Sequence, residues 1–297
     1  MITSVMQKLS IYIHIPFCVQ KCLYCDFLSF PVGDVKGRPA VRKAADGSDV
    51  TACKSAISCR PGTAQDDIER YVNLLCREMI QSAEDYIEYQ VISVFLGGGT
   101  PSLLAADQIG RIMETVRGYY RMADHAEITM EMNPGTVQAG EPEQYITTGI
   151  NRVSIGLQSA DDGELRRIGR IHDYDAFLRT YDLVRRAGFC NVNIDVMAAL
   201  PGQSLVSYEQ TLRKVAALAP EHISAYSLIL EEGTPLYERR SEYRFPVEEE
   251  NVEMDLLTRR YLAACGYHRY ETVTGYMIRF PNSMNRCLLV RTSLYSK

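Results

Sequence analysis

The chain has 297 residues, of which 46% are hydrophobic and 23% charged, the balance of an ordinary globular protein. Its formal net charge of −5 gives no electrostatic reason to expect a nucleic acid as partner. No apolar run approaches the ~20 residues of a transmembrane helix, and the first ten residues, MITSVMQKLS, lack the apolar core of a secretory signal. We therefore expect a protein of the reducing cytoplasm, with no transmembrane segment and no nucleic-acid partner.

Short apolar runs of β type alternate along the chain with stretches of helical periodicity. The predicted strands are residues 11–15, 91–96, 127–132, 152–157, 191–197 and 222–230. The predicted helices are residues 67–86, 105–119, 174–187, 207–218 and 248–264, with shorter turns at 143–148 and 161–168. This alternation predicts an α/β fold, a parallel sheet with helical crossovers. An open doubly wound sheet and a partial barrel both fit the pattern.

Three closely spaced cysteines, Cys18, Cys22 and Cys25, follow the first predicted strand in the segment IYIHIPFCVQKCLYCDF. The C-x3-C-x2-C spacing places three thiolates on one loop, where they can hold three corners of a cubane iron–sulfur cluster. The missing fourth cysteine leaves one position open for chemistry, as in catalytic zinc sites. Zinc is the alternative, although a zinc site commonly uses two C-x2-C pairs and only Cys53 and Cys59 lie nearby.

The remaining cysteines show no ligand spacing. The chain has nine cysteines, an odd number, and no secretory signal, which argues against a disulfide framework. Cys76, Cys190 and Cys265 lie in apolar, periodic stretches, and we expect them to be small buried hydrophobic residues.

A glycine triplet, Gly97, Gly98 and Gly99, comes after the second predicted strand and before Thr100. Such a triplet can be a tight turn only, or it can let a ligand approach backbone N–H groups closely. No G-K-[ST] follows, so the segment is not a P-loop. The loop lies at a carboxyl strand end, where the active sites of parallel barrels lie.

Polar side chains also end the third, fourth and fifth predicted strands. They are Glu131, Gln158 and Asp195. Glu131 could equally be a solvated strand end, whereas Asp195 interrupts an apolar strand and needs a partner if it is buried. Arg170, in the segment GRIH, is one candidate partner, either in a structural ion pair or beside a ligand.

Aromatic and histidine side chains flank the cysteines. Tyr12 and Tyr24 could stack on a ring or could simply pack, and His14 alternates with apolar neighbours. We expect His14 to be a hydrogen-bonded histidine of the barrel interior and not a metal ligand.

Seven segments match one known family in order and spacing over residues 9–271: IYIHIPFCVQKCLYCDF, FLGGGTPSLL, EMNPG, RVSIGLQS, LRRIGRIH, NVNIDVMAALPGQ and HISAYSLILEEGTPLY. They resemble the radical SAM proteins of the oxygen-independent coproporphyrinogen oxidase group. The resemblance implies a partial (β/α)6 barrel, a parallel sheet with outer helices. It also implies a [4Fe–4S] cluster whose open iron is chelated by S-adenosyl-L-methionine.

The same resemblance assigns roles to residues. Cys18, Cys22 and Cys25 would hold the cluster, and no catalytic residue is assigned beyond them. The cofactor would be bound by Tyr12, Tyr24, Gly98, Gly99, Thr100, Glu131, Gln158, Arg170 and Asp195. In such proteins the reduced cluster passes one electron to the sulfonium, and a 5′-deoxyadenosyl radical then abstracts hydrogen from a substrate.

Two branches of the group differ beside the third cysteine. The coproporphyrinogen III dehydrogenase type carries a further cysteine where this chain has Phe27, and an extension before the first strand. The HemW type, a haem chaperone, ends the motif in C-D-F, as Cys25, Asp26 and Phe27 do. The sequence therefore favours the HemW type, with haem or porphyrin, an electron donor and a haem-accepting protein as partners. The alternatives are oxidative decarboxylation of coproporphyrinogen III, and a zinc-binding or inactive barrel remnant.

Two stretches depart from the family pattern. Residues 31–65 replace a shorter link and are predicted to be an inserted mobile loop, because they lack sustained periodicity. After residue 271 the resemblance stops, where the family continues through an H-N-x-x-Y-W segment implicated in haem binding. We therefore expect a radical SAM barrel over residues 1–271 and, over 272–297, an atypical tail in place of the family's C-terminal domain, as in a truncated chain.

Overall fold

The computed structural model describes residues 6–32, 64–271 and 276–279. The described strands are β1 (Gln7–Ile15), β2 (Phe17–Cys18), β3 (Phe30–Pro31), β4 (Tyr89–Gly98), β5 (Met122–Met132), β6 (Arg152–Gln158), β7 (Val192–Ala198), β8 (His222–Ser227), β9 (Tyr267–Arg269) and β10 (Tyr276–Arg279). The described α-helices are α1 (Ala64–Ser82), α2 (Ala106–Tyr119), α3 (Glu141–Thr147), α4 (Asp162–Arg167), α5 (Tyr174–Ala187), α6 (Leu205–Ala217), α7 (Pro235–Glu238) and α8 (Glu248–Ala264). Short 3₁₀ turns lie at Ala83–Tyr86, Pro101–Leu103 and Arg240–Glu242.

Six parallel strands form a half-barrel with helices around it, in the order β1-β4-β5-β6-β7-β8. The predicted α/β partial barrel is confirmed, and the doubly wound alternative is not what the chain adopts. Beyond β8 the sheet continues with β10 and then β9, which are antiparallel to their neighbours. Neither of these two strands was predicted.

The two faces of the sheet differ in chemistry. Alternate strand residues point to opposite sides, and in β6 the apolar set Val153, Ile155 and Leu157 packs into the main core. The intervening residues, Arg152 and Ser154 among them, face the interior of the half-barrel although they too are buried. Burial of both faces is usual for a parallel sheet covered by helices, and here it gives the half-barrel a polar interior.

The predicted helices are found within a few residues of their predicted bounds. Helix α5 shows why its ends could be read from the sequence. The Asp173 side chain caps its start by accepting a hydrogen bond from the Ala176 N–H, and Gly188, with φ +104°, ends it. In the described part of the chain no helix is long and apolar enough to cross a membrane.

The predicted domain boundaries stay predictions. Most of the inserted stretch 31–65 lies outside the described residues, as do Cys53 and Cys59. Of the predicted tail, residues 276–279 form β10 and pair with β8.

One expectation about the cysteines was wrong. Cys76 and Cys265 are partly buried, but Cys190 is exposed. Cys190 follows the Gly188 turn that ends α5 and precedes β7, so it lies in a surface connection and not in an apolar element.

Candidate cluster and cofactor site

The three predicted cluster cysteines lie on one loop at the carboxyl end of β1. Cys18 ends β2, which pairs with β3 and closes the base of the loop. Cys18 is buried, Cys22 and Cys25 are partly buried, and all three are free thiols. The Cys25 N–H donates to the Cys22 carbonyl over 3.2 Å, a tight turn that brings these two residues together.

Polar groups from other strand ends contact these sulfurs. The Thr100 hydroxyl donates to Cys18 Sγ over 3.5 Å, and Arg170 Nη1 donates to Cys22 Sγ over 3.6 Å. Burial raises the pKa of the Cys18 and Cys25 thiols, because a thiolate loses its hydration there. The loop therefore places cysteine sulfurs beside positively charged side chains, Arg170 at Cys18 and Lys21 at Cys25.

The described residues contain no group of three His, Cys, Asp or Glu side chains that converges to hold a metal ion. A single zinc ion needs such convergence. A cubane cluster binds each cysteine at a different iron atom, so its ligands stay apart. The three cysteines of this loop are therefore compatible with a cluster.

The glycine triplet packs tightly against the base of the cysteine loop. The Gly99 N–H donates to the Ile15 carbonyl over 2.8 Å, and a Cβ at Gly99 would lie only 2.6 Å from the Phe17 carbonyl oxygen. Gly98 has φ +104°, a left-handed conformation that favours glycine. The triplet is therefore required for close backbone approach and is more than a surface turn.

Two carboxyl groups face the interior beneath this loop. Glu131 Oε2 accepts the Gly98 N–H over 3.2 Å. Burial, and then the nearby charge of Asp195, raise the pKa of Glu131 to about 8. Burial also raises the pKa of Asp195. Both carboxyls are partly exposed, so they border open interior space.

The partner of Asp195 differs from the one considered. Its two oxygens accept hydrogen bonds from Asn193 Nδ2 over 2.7 Å and from the Ser154 hydroxyl over 3.0 Å. Arg170 makes no hydrogen bond to it, because the guanidinium is directed to other groups. The hydrogen bonds that this partly buried carboxylate needs come from neutral donors on β6 and β7.

Arg170 joins the cysteine loop to the strand ends. Its Nη2 donates to Asn133 Oδ1 over 2.8 Å and to the Gly156 carbonyl. Its Nε is buried and has no hydrogen-bond partner. A small pocket, partly open to solvent, adjoins it and is lined by Cys22, Thr100 and Asn133 among others. An unsatisfied cationic donor beside cysteine sulfur is what an anionic cluster or a cofactor carboxylate would complete.

Gln158 ends β6 in a strained conformation. Its φ is +71°, uncommon for a residue other than glycine, and the register between β6 and β7 shifts there. Its Oε1 accepts a hydrogen bond from the Tyr226 hydroxyl over 2.9 Å. Strain of this kind clusters at binding sites, so Gln158 stays a predicted residue of the candidate site.

The two predicted tyrosines lie in different surroundings. Tyr24 packs against the small apolar cluster of Ile168, Met197 and Leu200. Tyr12 is 54% exposed on the interior face of β1, where its hydroxyl hydrogen-bonds His14 Nδ1 over 3.1 Å. His14 Nε2 donates to a loop carbonyl over 2.7 Å, so both ring nitrogens are satisfied, as expected.

Sequence reasoning missed four polar residues of this site. They are Asn133, Ser154, Asn193 and Tyr226. Each lies on a predicted strand or directly after one, and Ser154, Asn193 and Tyr226 occupy the same alternating register as the predicted site residues. That register is the signal that could have found them.

Comparison with known proteins now identifies the class. The Radical SAM superfamily matches residues 12–215, and the chain belongs to this superfamily, whose members carry a [4Fe–4S] cluster and bind S-adenosyl-L-methionine. It is 36% identical over 267 residues to the heme chaperone HemW of Escherichia coli (strain K12) and 34% identical over 267 residues to that of Haemophilus influenzae. These alignments cover 89% of this chain but 61% and 62% of those proteins, so the chain spans about three fifths of the relatives it matches.

A solved structure shows the same fold. The coproporphyrinogen III oxidase HemN of Escherichia coli superposes with a TM-score of 0.73 at 23% identity. The match covers 92% of this chain and 56% of HemN. At this identity the likeness establishes the half-barrel architecture alone.

Proposed function

We propose that this chain is a radical SAM barrel of the HemW type. In it, Cys18, Cys22 and Cys25 hold a [4Fe–4S] cluster above a polar interior that binds S-adenosyl-L-methionine. The observation that carries the proposal is Arg170, whose guanidinium contacts Cys22 while its Nε stays buried and unpartnered. This is a site prepared for a negatively charged group between the cysteine loop and the strand ends.

The interior residues have distinct proposed roles. Gly98, Gly99 and Thr100 present backbone and hydroxyl groups at the base of the cysteine loop. Glu131 and Asp195 offer oxygen acceptors to the amino and hydroxyl donors of the cofactor. The remaining proposed contacts come from Tyr12, Tyr24, Gln158 and Arg170. When bound, the cluster supplies single electrons, and the role of the chain is to hold both groups and to exclude water.

Haem handling is proposed from the relatives. The HemW proteins that this chain resembles are named heme chaperones, and Cys25, Asp26 and Phe27 retain the C-D-F ending expected of that type. The proposed partners are therefore haem or porphyrin, an electron donor and a haem-accepting protein. Free thiols at the cluster site suit the reducing cytoplasm, where we place the protein.

Anaerobic reconstitution tests the cluster. We expect four irons and four sulfides per chain, a [4Fe–4S]⁺ EPR signal after reduction, and a change in that signal when S-adenosyl-L-methionine is added. Cys18→Ala is the control and should lose the signal. Zinc without sulfide, or a cluster indifferent to the cofactor, would refute the assignment.

Two assays separate the haem chaperone from the oxidase. Stable binding of haem, followed by its absorbance, supports the HemW type. Conversion of coproporphyrinogen to protoporphyrinogen supports the oxidase alternative, which is considered because the chain shares the fold of HemN. If a chain with an intact cluster neither binds haem nor converts coproporphyrinogen, both functions are refuted. If a chain without a cluster shows neither activity, the result favours an inactive barrel remnant.

A further inference from the structure

We propose that two segments remote from the cysteine motif position its loop: the turn at Ile168 and Gly169, and the start of α7 at Leu236. Neither segment belongs to the proposed cluster or cofactor contacts. The inference rests on the cluster assignment but not on haem handling.

The cysteine loop has little structure of its own. Residues 19–28 contain no helix or strand, and the described backbone hydrogen bond within this stretch joins Cys25 to Cys22. Its geometry therefore depends on groups outside it. A cluster with three protein ligands needs its sulfurs held at defined separations before it binds, or it must bear the entropy cost of ordering the loop.

Leu23, between Cys22 and Cys25, is bound from two sides. Its N–H donates to the Ile168 carbonyl over 3.0 Å, and its carbonyl accepts the Leu236 N–H over 2.9 Å. Both backbone polar groups of this residue are thus used by partners well over a hundred residues away in sequence. This pairing fixes the peptide planes on either side of Leu23.

Gly169 makes the first of these contacts feasible. It has φ +74°, and a Cβ there would lie 2.7 Å from Leu23 Cγ and 3.0 Å from the Leu23 backbone nitrogen. Any larger residue would push Leu23 away from Ile168. The glycine in the GRIH segment is therefore explained by contact with the cysteine loop.

The short helix α7 supplies the second contact. The Thr234 hydroxyl donates to the Glu231 carbonyl over 2.7 Å and accepts the Tyr237 N–H over 3.3 Å, so it caps the helix. Thr234 and Leu236 are both buried. The cap fixes the orientation of the Leu236 N–H. The EEGTPLY segment, which supplies no proposed cofactor contact, thereby has a role in holding the cysteine loop.

The residue after Leu23 is anchored as well. Tyr24 packs on the apolar cluster of Ile168, Met197 and Leu200. Ile168 thus holds the loop twice, through its carbonyl and through its side chain. The chain between Cys22 and Cys25 therefore packs against residues of the half-barrel.

The test compares Gly169→Ala with Gly266→Ala. Gly266 has φ +85°, close to that of Gly169, but a Cβ there would meet no atom within 4 Å. Both variants carry the same left-handed strain, and Gly169→Ala alone displaces Leu23. The measurements are hydrogen exchange of the peptide containing Leu23 in the metal-free chain, and the rate at which a chelator removes iron from the reconstituted chain.

We expect Gly169→Ala to speed both processes about tenfold, the value of one or two backbone hydrogen bonds, while Gly266→Ala leaves both near wild type. Thr234→Val, which keeps the shape of the side chain and removes the cap, should give a smaller increase in both and serves if Gly169→Ala fails to fold. Equal exchange and equal iron loss in all variants would overturn the proposal. If the wild-type chain assembles no cluster, the exchange measurement still decides the positioning, and the failure counts against the proposed cofactor.

Discussion

Replacing Glu131 by glutamine should flatten the pH dependence of stability in the metal-free protein. The pKa of Glu131 in the folded chain is about 8, against 4.5 for an ordinary glutamic acid. Between these values the folded chain keeps a proton that the unfolded chain has lost. Stability therefore falls as pH rises from about 4.5 to about 8, and the loss is complete above that pH.

The size of this effect follows from the same difference. For a carboxyl fully shielded from water, this difference in pKa corresponds to a loss of at most about 5 kcal/mol of unfolding free energy as the pH rises. Water reaches the partly exposed side chain, and screening reduces the expected contribution to about 2 kcal/mol. Asp195, whose pKa burial also raises, acts in the same direction, so part of the pH dependence should survive in Glu131→Gln.

Urea denaturation at several values between pH 5 and 8.5, without iron and under reducing conditions, measures the effect. Wild type should lose about 2 kcal/mol more unfolding free energy over this range than Glu131→Gln. Glu143→Gln, on the exposed part of α3, controls for the simple loss of a carboxyl. Parallel curves for wild type and Glu131→Gln would refute the reasoning.

Three further predictions concern the same site. Arg170→Met leaves the partly buried Oδ1 of Asn133 without its Arg170 donor and should cost about 2–4 kcal/mol of unfolding free energy. Cluster retention should weaken as well, and unchanged urea curves and iron content would contradict the prediction. In Gly98→Ala the new Cβ would lie 2.5 Å from the His14 imidazole, at a backbone position with left-handed φ. The substitution should cost about 1–3 kcal/mol of unfolding free energy. Its control, Gly118→Ala in α2, has nothing within 4 Å and should be neutral or slightly stabilising in the same denaturation experiment. Tyr226→Phe removes the hydrogen bond to Gln158 at the strained end of β6. It should weaken S-adenosyl-L-methionine binding severalfold, measured by calorimetry, with little change in melting temperature. Equal affinity would argue against the proposed contact between Gln158 and the cofactor.

Much of the fold followed from local pattern. Helix α8 was predicted at its observed bounds, and the six parallel strands were each found in place. Both kinds of element depend on periodicity and end signals that lie within a dozen residues. By contrast β9 and β10 escaped prediction, because such short strands form only through pairing, β10 with β8 and β9 with β10, and have no signal of their own.

For the candidate site, the sequence indicated residue types and the sheet edge where they lie, but not their contacts. The cysteine spacing, the glycine triplet and the strand-end carboxyls pointed to one edge of the sheet. The pairing of Asp195 with Asn193 and Ser154 was not foreseen, since it depends on the register of β6 against β7. The left-handed backbone of Gln158 was not foreseen either, because a glutamine side chain does not indicate that conformation.

The sequence by itself determined the α/β class and the family, because these depend on residue identity and on spacing along the chain. Only the tertiary structure decided which groups hold the cysteine loop. Leu23 is bound by Ile168 and Leu236, about 145 and 213 positions further on. Such contacts are created by the packing of the half-barrel, which brings distant backbone groups within hydrogen-bonding distance, and backbone groups carry no trace of their partners in the sequence.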